Sequence, residues 1–181
     1  MRARGVWLAG VAALALGACA RHPAPAVSSP DATVRMAALP RYIEIVGPRA
    51  QHAPPFLGVP ETNFFVLRSW LDRESGRATT QLYVSDSYEG PQKGWNAAYG
   101  PAGTALPFVA IRRDEIGCRR VCAWVEDFAA RIPEHRLDAA SGGLAVTFAA
   151  LSGATKTVTV TPRQIHAQRA AIAAARLRSP E

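Results

Sequence analysis

Several short segments of the chain carry apolar residues in the pattern of extended, buried or half-buried β-strands. Residues 63–72 (NFFVLRSWLD) are mostly apolar on both faces of an extended segment, and residues 79–86 (TTQLYVSD) alternate between apolar and polar. They flank a Gly-containing segment at 73–77, so the two predict a β-hairpin. Residues 144–150 (LAVTFAA) and 155–161 (TKTVTVT) predict a second hairpin. Further strands are expected at residues 41–46, 107–112 and 121–128.

The last part of the chain has the signals of a helix. Thr161 and Gln164 have the spacing of a capping box, and Pro162 stands at the first helical position, where its missing N–H costs nothing. Strong helix formers, mostly alanine, continue to residue 178. Strands followed by one helix predict a mainly β (α+β) fold: an antiparallel sheet or sandwich of about six to seven strands with a C-terminal helix.

The N-terminus has the pattern of a secretory signal peptide. Residues 1–20 read MRARGVWLAGVAALALGACA, in which Arg2 and Arg4 precede an apolar run at 6–16 and small residues follow. The run is shorter than the roughly 20 apolar residues that a membrane-spanning helix needs. We therefore expect export rather than a transmembrane anchor.

The end of this segment, Leu16-Gly17-Ala18-Cys19, resembles the lipobox of bacterial lipoproteins. The resemblance implies that the Cys19 thiol is acylated, that residues 1–18 are removed as a signal peptide, and that the protein attaches to a membrane through its N-terminal lipid. Ala20, rather than Asp, follows the cysteine, which in that family implies sorting to the outer membrane, facing the periplasm. Ala18-Cys19-Ala20 also fits an ordinary cleavage site, which would release a soluble periplasmic protein.

Residues 19–39 are expected to form a flexible linker behind the lipid. Prolines at positions 23, 25 and 30 and the absence of apolar periodicity indicate a segment that cannot bury enough surface to fold. The pattern changes at about residue 40. We therefore expect a single β-rich periplasmic domain over residues 40–181.

The charge of the chain adds possible partners. The formal net charge is +7, and 19 of the 21 basic residues are arginine. The cluster formed by 112–113 and 119–120 could meet anionic lipid head groups, peptidoglycan or lipopolysaccharide. Export argues against nucleic acid despite the isoelectric point near 10.0. An envelope protein, peptidoglycan or another glycan is the expected kind of ligand.

Cys118 and Cys122 (GCRRVC) remain once Cys19 is assigned to the lipid. Two cysteines in the oxidising periplasm most often form a disulfide. Residues four apart on a strand lie about 13 Å apart, too far for a bridge, so a disulfide requires a turn between them. A zinc site and a catalytic thiol pair are less favoured alternatives, because the spacing matches neither a complete set of four ligands nor the C-x-x-C motif.

Residues 83–99 (YVSDSYEGPQKGWNAAY) combine aromatic and hydrogen-bonding side chains in what we expect to be a long loop. Tyr88, Trp95 and Tyr99 are the candidate ligand-binding residues, since aromatic rings with polar neighbours suit a sugar ring or a peptide. The alternative is that these rings cover the edge of the sheet or pack on the domain as an omega-type loop.

The chain lacks the common catalytic motifs, including G-x-S-x-G, H-E-x-x-H and the Gly-rich nucleotide loops. The carboxylate pairs at 114–115 and 126–127, and the histidines at 52, 135 and 166, are expected at the surface. We therefore expect an outer-membrane lipoprotein with a binding or structural module of the cell envelope, with no catalysis, cofactor or metal. The alternative is an envelope redox protein or hydrolase that uses Cys118 and Cys122 or the 83–99 loop.

Overall fold

The computed structural model describes residues 34–178 of the chain. The predicted signal peptide, Cys19 and most of the predicted linker lie outside the described residues. Neither of the two α-helices in the described part is long and apolar enough to cross a membrane.

The described part contains eleven β-strands and two α-helices. The strands are β1 (Arg35–Ala38), β2 (Tyr42–Val46), β3 (Ala50–Gln51), β4 (Phe64–Asp72), β5 (Ala78–Glu89), β6 (Trp95–Tyr99), β7 (Ala105–Leu106), β8 (Phe108–Cys118), β9 (Cys122–Ile132), β10 (Leu144–Ala150) and β11 (Thr155–Val160). The helices are α1 (Glu134–Ala139) and α2 (Pro162–Arg178), and short 3-10 turns lie at Phe56–Gly58 and Pro101–Gly103.

The strands form two antiparallel sheets. The seven-stranded sheet has the order β1-β2-β4-β5-β9-β8, with β3 paired to β4, and the four-stranded sheet has the order β11-β10-β6-β7. The predicted hairpins are β4–β5 and β10–β11, and residues 107–112 and 121–128 become the β8–β9 hairpin. The prediction of a mainly β fold with a C-terminal helix is confirmed. The strands beyond the expected six to seven are mostly short ones with little apolar pattern.

The inner face of the seven-stranded sheet is covered by two different elements. The four-stranded sheet lies against β8 and β9, and α2 packs on β2 and β4. Phe128 of β9 is at the centre of the first contact, with its ring centroid 4.9 Å from that of Phe148 and 5.2 Å from that of Trp95. The core therefore runs beneath the sheet from β2 to β9, and the two edge strands β1 and β8 contribute little to it.

Helix α2 begins with the predicted capping box. The Thr161 N–H donates to Gln164 Oε1 at 2.9 Å, and the Gln164 N–H donates to Thr161 Oγ1 at 3.3 Å. One turn later the fully buried Gln168 donates to the Ile45 carbonyl at 3.1 Å and to Ser69 Oγ at 2.8 Å. These bonds fix the helix to the inner face of the sheet.

The predicted linker extends too far. Residues Arg35–Ala38, within the expected linker at 19–39, form β1 and pair with β2. All four residues of β1 are exposed, so the strand is held by backbone hydrogen bonds and leaves no apolar periodicity to detect. The domain begins about five residues before the expected boundary at residue 40.

The prediction of one long loop at 83–99 is wrong. Strand β5 continues to Glu89, a short connection follows at 90–94, and β6 starts at Trp95. The polar segment 85–88 (SDSY) has no ordinary strand pattern, yet all four of its residues are buried. The partners of Asp86 and Tyr88 explain how that polar stretch stays inside the sandwich.

Candidate functional site

Two carboxylates lie side by side between the two sheets. Asp86 of β5 and Glu126 of β9 are cross-strand partners on the inner face, and each is 2% exposed. Like charges in this position repel each other, and burial makes the repulsion stronger. The side chains that surround and compensate these two carboxylates form what we call the buried ionic cluster: His52, Asp86, Tyr88, Lys93, Trp95, Arg113, Glu126 and Lys156.

Asp86 binds both lysines that the chain contains. Its Oδ1 lies 2.7 Å from Lys156 Nζ, and its Oδ2 lies 3.0 Å from Lys93 Nζ and accepts a hydrogen bond from Trp95 Nε1 at 3.0 Å. Burial alone raises the pKa of Asp86, but the charges and hydrogen bonds of the two lysines outweigh it and hold that pKa below its ordinary value. Asp86 is therefore an anion that joins β5 to β11 and to the start of β6.

Glu126 fixes the crossing of the chain from one sheet to the other. Its Oε1 accepts hydrogen bonds from the Tyr88 hydroxyl and from the Gly94 N–H at 3.0 Å. Its Oε2 accepts from the Trp95 N–H at 3.2 Å and from Arg113 Nε at 3.0 Å. Burial opposes the charge of Glu126, yet these donors together keep its pKa below the ordinary value.

His52 closes the cluster on the side of β11. Its Nε2 lies 2.9 Å from the Ser85 carbonyl, to which it donates, so its Nδ1 is free to accept from Lys156 Nζ at 2.9 Å. Burial and the adjacent Lys156 charge lower the pKa of His52 from 6.5 to about 4. The imidazole is neutral at pH 7, and a proton on it would face an ammonium ion.

The buried polar groups of the ionic cluster are occupied by one another. Among the residues that the structure describes, the buried side-chain polar atoms without a hydrogen-bond partner are Asp127 Oδ1 and Gln168 Oε1, and neither belongs to the cluster. Tyr88 and Trp95 are 8% and 2% exposed. The arrangement holds the two sheets together, and an open cavity of about 200 Å³ at its side is lined by Trp95, Arg113 and Glu126 together with residues 110–112 and 127–128.

The candidate ligand-binding aromatics therefore separate. Tyr88 and Trp95 meet in the buried ionic cluster, whereas Tyr99 lies on β6 and is 38% exposed. The structure does not bring the three rings together on one open surface, and the two buried rings lie on strands between the sheets rather than on a loop that covers a sheet edge.

Two expectations of surface position are wrong. Glu126 and Asp127 are buried, because arginines of β8 reach both: Arg113 binds Glu126, and Arg112 Nε lies 2.8 Å from Asp127 Oδ2. His52 is also packed inside rather than exposed. The pair at 114–115 and the histidines at 135 and 166 are exposed, as expected.

Cys118 and Cys122 form a disulfide across the β8–β9 turn. They are directly opposed residues at the end of the hairpin, with Cα atoms 3.9 Å apart, which agrees with the turn that the spacing requires. Glu115 is close enough that its carboxylate and the two sulfur atoms lie within 4.8 Å of one another. While the sulfurs are bonded to each other, neither is a thiolate that could bind a metal.

The outer face of the seven-stranded sheet carries an open groove of about 290 Å³, which we call the arginine face. Arg68 and the rings of Phe64 and Tyr83 share this face, because outward-pointing positions of β4 and β5 recur every second residue. The groove is lined by Arg35, Glu44, Val46, Arg49, Phe64, Val66, Arg68 and Tyr83.

Arg68 is the central cation of the arginine face. Its guanidinium carbon lies 4.5 Å from the centroid of the Tyr83 ring and 5.1 Å from that of Trp70, and its Nε and Nη2 both donate to Gln81 Oε1. Burial lowers the pKa of Arg68, although the nearby charge of Glu44 favours the cation. No carboxylate of residues 34–178 lies within 4.0 Å of its nitrogens.

The other two arginines extend the positive charge to the rim of the groove. Arg49 covers the Phe64 ring at 4.4 Å and pairs with the exposed Glu61 at 3.2 Å. Arg35, on the exposed edge strand, forms no ion pair with the described residues. The groove thus combines two uncompensated guanidinium groups with aromatic surface and a single lining carboxylate, Glu44.

The sequence contains one signal for the buried ionic cluster and one for the arginine face, and neither is part of the apolar periodicity. A chain with 19 arginines has two lysines, Lys93 and Lys156, and both end on Asp86. Arg68 interrupts an otherwise apolar strand, which marks a strand with a charged position on its outer face. Neither signal identifies the partner strands, because β5 meets β9 and β11 only through tertiary contacts.

No protein-family model, curated protein or solved structure matches this chain.

Proposed function

We propose that this chain is a lipoprotein of the outer membrane whose periplasmic domain is a non-catalytic binding module, with the arginine face as its binding surface. The lipid would be attached at Cys19, and the mature domain would face the periplasm. The arginine face would bind an envelope glycan that carries carboxylate groups, and peptidoglycan has that chemistry.

The observation that carries the proposal is the position of Arg68. A half-buried guanidinium without a carboxylate partner loses hydration that is not returned by an ion pair. Gln81 occupies two of its donors through one oxygen, which leaves Nη1 without a described acceptor. A carboxylate from a ligand would complete this site in the bidentate geometry that arginine favours.

The aromatic surface beside the arginines fits the rest of such a ligand. Phe64 and Tyr83 have ring centroids 5.8 Å apart and are both half-buried in the groove wall. Aromatic rings offer large, rigid apolar surface on which the apolar face of a sugar ring can pack. An open groove on a flat sheet also suits a polymer, which has no end to enclose.

Sedimentation with purified peptidoglycan tests this proposal. Arg68→Gln and Arg35→Gln should each reduce the fraction of protein that sediments, and the double variant should reduce it further. Arg163→Gln, an exposed arginine of α2 far from the groove, is the matched control and should sediment like the wild type. Equal sedimentation of all five proteins would contradict the assignment of the arginine face.

The lipid anchor has a separate test. Palmitate fed to a bacterial host that expresses the chain should label the wild type and should not label Cys19→Ala. A wild-type protein without label would overturn the lipoprotein proposal. Label that persists in the variant would overturn its assignment to Cys19.

A redox role of the disulfide is the second candidate, and the exposure of the hairpin end favours it. Cys118 lies on the surface, where a partner thiol can reach it. In that case the wild type should catalyse the thiol-dependent reduction of insulin, and the Cys118→Ser, Cys122→Ser variant should not. Absence of activity in the wild type would remove this candidate and leave the binding module.

A further inference from the structure

The β8–β9 hairpin extends beyond the part of the sandwich that the second sheet covers. Every residue from 110 to 121 is exposed. Large apolar side chains are among them: Ile116 is 55% exposed and Val121 is 56% exposed. Together with Arg119, Arg120 and the disulfide, these two residues form what we call the hairpin tip.

The hairpin tip combines apolar and cationic groups in one small surface. Arg119 and Arg120 stand between the bridged cysteines and form no ion pair with residues 34–178. One acidic group lies at the hairpin tip, since the Glu115 carboxylate and the two disulfide sulfur atoms lie within 4.8 Å of one another, whereas Asp114 is 3.7 Å from Arg112. Exposed apolar residues flanked by unpaired arginines are typical of surfaces that enter the head-group region of a membrane.

The register of the sheet places the start of the domain on the side of the hairpin tip. One line of paired residues crosses the sheet at a single level: Arg35 of β1, Val46 of β2, Arg68 of β4, Gln81 of β5 and Arg131 of β9. Four successive antiparallel pairings separate β1 from β9, so these two strands run in the same direction. Because β9 begins at the hairpin tip, β1 also runs away from the tip. The chain therefore enters the domain from the end of the sheet toward which the hairpin projects.

The distances let the tip and the N-terminal lipid share one surface. Arg131 and Cys122 are nine residues apart along β9, a distance of about 30 Å. Strands β1 and β9 are four strand spacings apart, a distance of about 19 Å. Together these displacements make a diagonal of about 36 Å. The 15 residues between Cys19 and Arg35 can span about 50 Å when extended. The tether is thus long enough to place the tip on the membrane that would hold the lipid.

We propose that the hairpin tip binds the anionic phospholipid surface of the membrane in which the chain is anchored. The arginines pair with lipid phosphates, and Ile116 and Val121 enter the interface beside them. The disulfide closes the turn that carries Arg119, Arg120 and Val121, so the backbone of the turn loses little conformational freedom on contact. The geometry rests on the proposed lipid anchor, but the contact itself does not depend on the arginine face.

Co-flotation with vesicles tests this inference on protein without its lipid. The chain from Ala20 to its end lacks the signal segment and Cys19 and keeps every described contact of the domain. It should float with vesicles of equimolar phosphatidylcholine and phosphatidylglycerol and remain unbound with phosphatidylcholine alone. High salt should weaken the binding, because exposed charges are screened.

Variants locate the contact. Arg119→Gln with Arg120→Gln should reduce partitioning about 30-fold, since each arginine at an anionic surface contributes about a fivefold factor. Ile116→Ser with Val121→Ser should also reduce it. The matched control is Arg73→Gln with Arg77→Gln, two exposed arginines in the β4–β5 turn at the opposite end of the sheet, which should bind like the wild type.

Two results would overturn the inference. The first is wild-type binding to phosphatidylcholine as strong as binding to the anionic mixture. The second is an equal loss of binding in the hairpin-tip and control variants, which would reflect net charge alone. Because all six positions are exposed, near-equal thermal unfolding midpoints are expected and show that each variant is folded. Peptidoglycan sedimentation of the hairpin-tip variants should be unchanged, which separates this contact from the arginine face.

Discussion

Lowering the pH from 7.5 to 5.0 should destabilise the domain through His52. The folded protein holds His52 neutral, because burial and the Lys156 ammonium lower its pKa to about 4, whereas the unfolded chain has the ordinary value of 6.5. The unfolded chain therefore takes up the proton first as the pH falls. The stability associated with this group is fully present above pH 6.5 and is lost progressively between pH 6.5 and about pH 4.

The size of the effect follows from the two pKa values. At pH 5 the unfolded imidazole is almost fully protonated and the folded one is mostly neutral, which corresponds to a loss of about 2 kcal/mol in the free energy of unfolding. Asp86 and Glu126 add little in this interval. Their pKa values are lowered in the folded protein, so the stability that they contribute is lost only when the pH falls to the ordinary carboxyl range near 4 and below it. The interval from pH 7.5 to 5.0 therefore isolates His52.

Urea unfolding, followed by tryptophan fluorescence at both pH values, measures this loss. In His52→Gln, whose amide can still donate to the Ser85 carbonyl, the pH dependence should nearly disappear. His166→Gln, on the exposed side of α2, serves as the control and should keep the wild-type dependence. A wild-type stability that does not change between the two pH values, or an unchanged slope in His52→Gln, would refute the structural argument.

Three further substitutions test other parts of the fold by thermal or urea unfolding. Asp86→Asn should cost about 2–4 kcal/mol, because it leaves two half-buried lysine ammoniums without their counter-ion. Gly47→Ala should cost about 1–3 kcal/mol, because the new Cβ would lie 2.9 Å from Gln168 Oε1 and 3.1 Å from a backbone oxygen. Replacing Cys118 and Cys122 by serine should cost about 2 kcal/mol, the loop entropy of five residues, without altering the core.

Each of these has a contrasting result. An Asp86→Asn protein as stable as the wild type would show that the lysines find other partners or water. Gly142→Ala, where the new Cβ meets nothing within 4 Å, should be neutral, and an equal cost at both glycines would exclude the clash as the cause. A loss well above 2 kcal/mol on removing the disulfide would mean that the hairpin end supports the rest of the sheet.

The sequence predicts those elements whose stabilisation is local. The capping box of α2 and the β4–β5 and β10–β11 hairpins depend on residues close together in the chain, and the structure has them where the pattern places them. Strand β1 could not be found this way, because its exposed side chains carry no pattern and only backbone pairing with β2 holds it.

The candidate site illustrates the opposite case. The polar residues around Asp86 have the pattern of a loop, although they lie in a buried strand. The sequence does not show this, because the ion pair that stabilises Asp86 inside is formed with Lys156, 70 positions away. Composition carried one unused clue, the scarcity of lysine. The outward charge on β4 was visible, but the groove around Arg68 requires β2, β5 and the residues after β2 to meet, which only the folded chain specifies.

The β8–β9 hairpin also affects whether neighbouring molecules can associate through the edges of their sheets. The proposed attachment to a membrane would confine neighbours to a surface and raise their effective concentration, and β8 is a long edge strand that could pair with its copy. Its register shifts leave Ile111 and Ile116 as extra, bulged residues, and the stretch between them, 112–115, consists of four charged residues. The bulges interrupt the addition of another strand at both ends of this stretch, and the charged residues between them interrupt it in the middle. Edge β8 is therefore poorly suited to pair with its copy when molecules are crowded together.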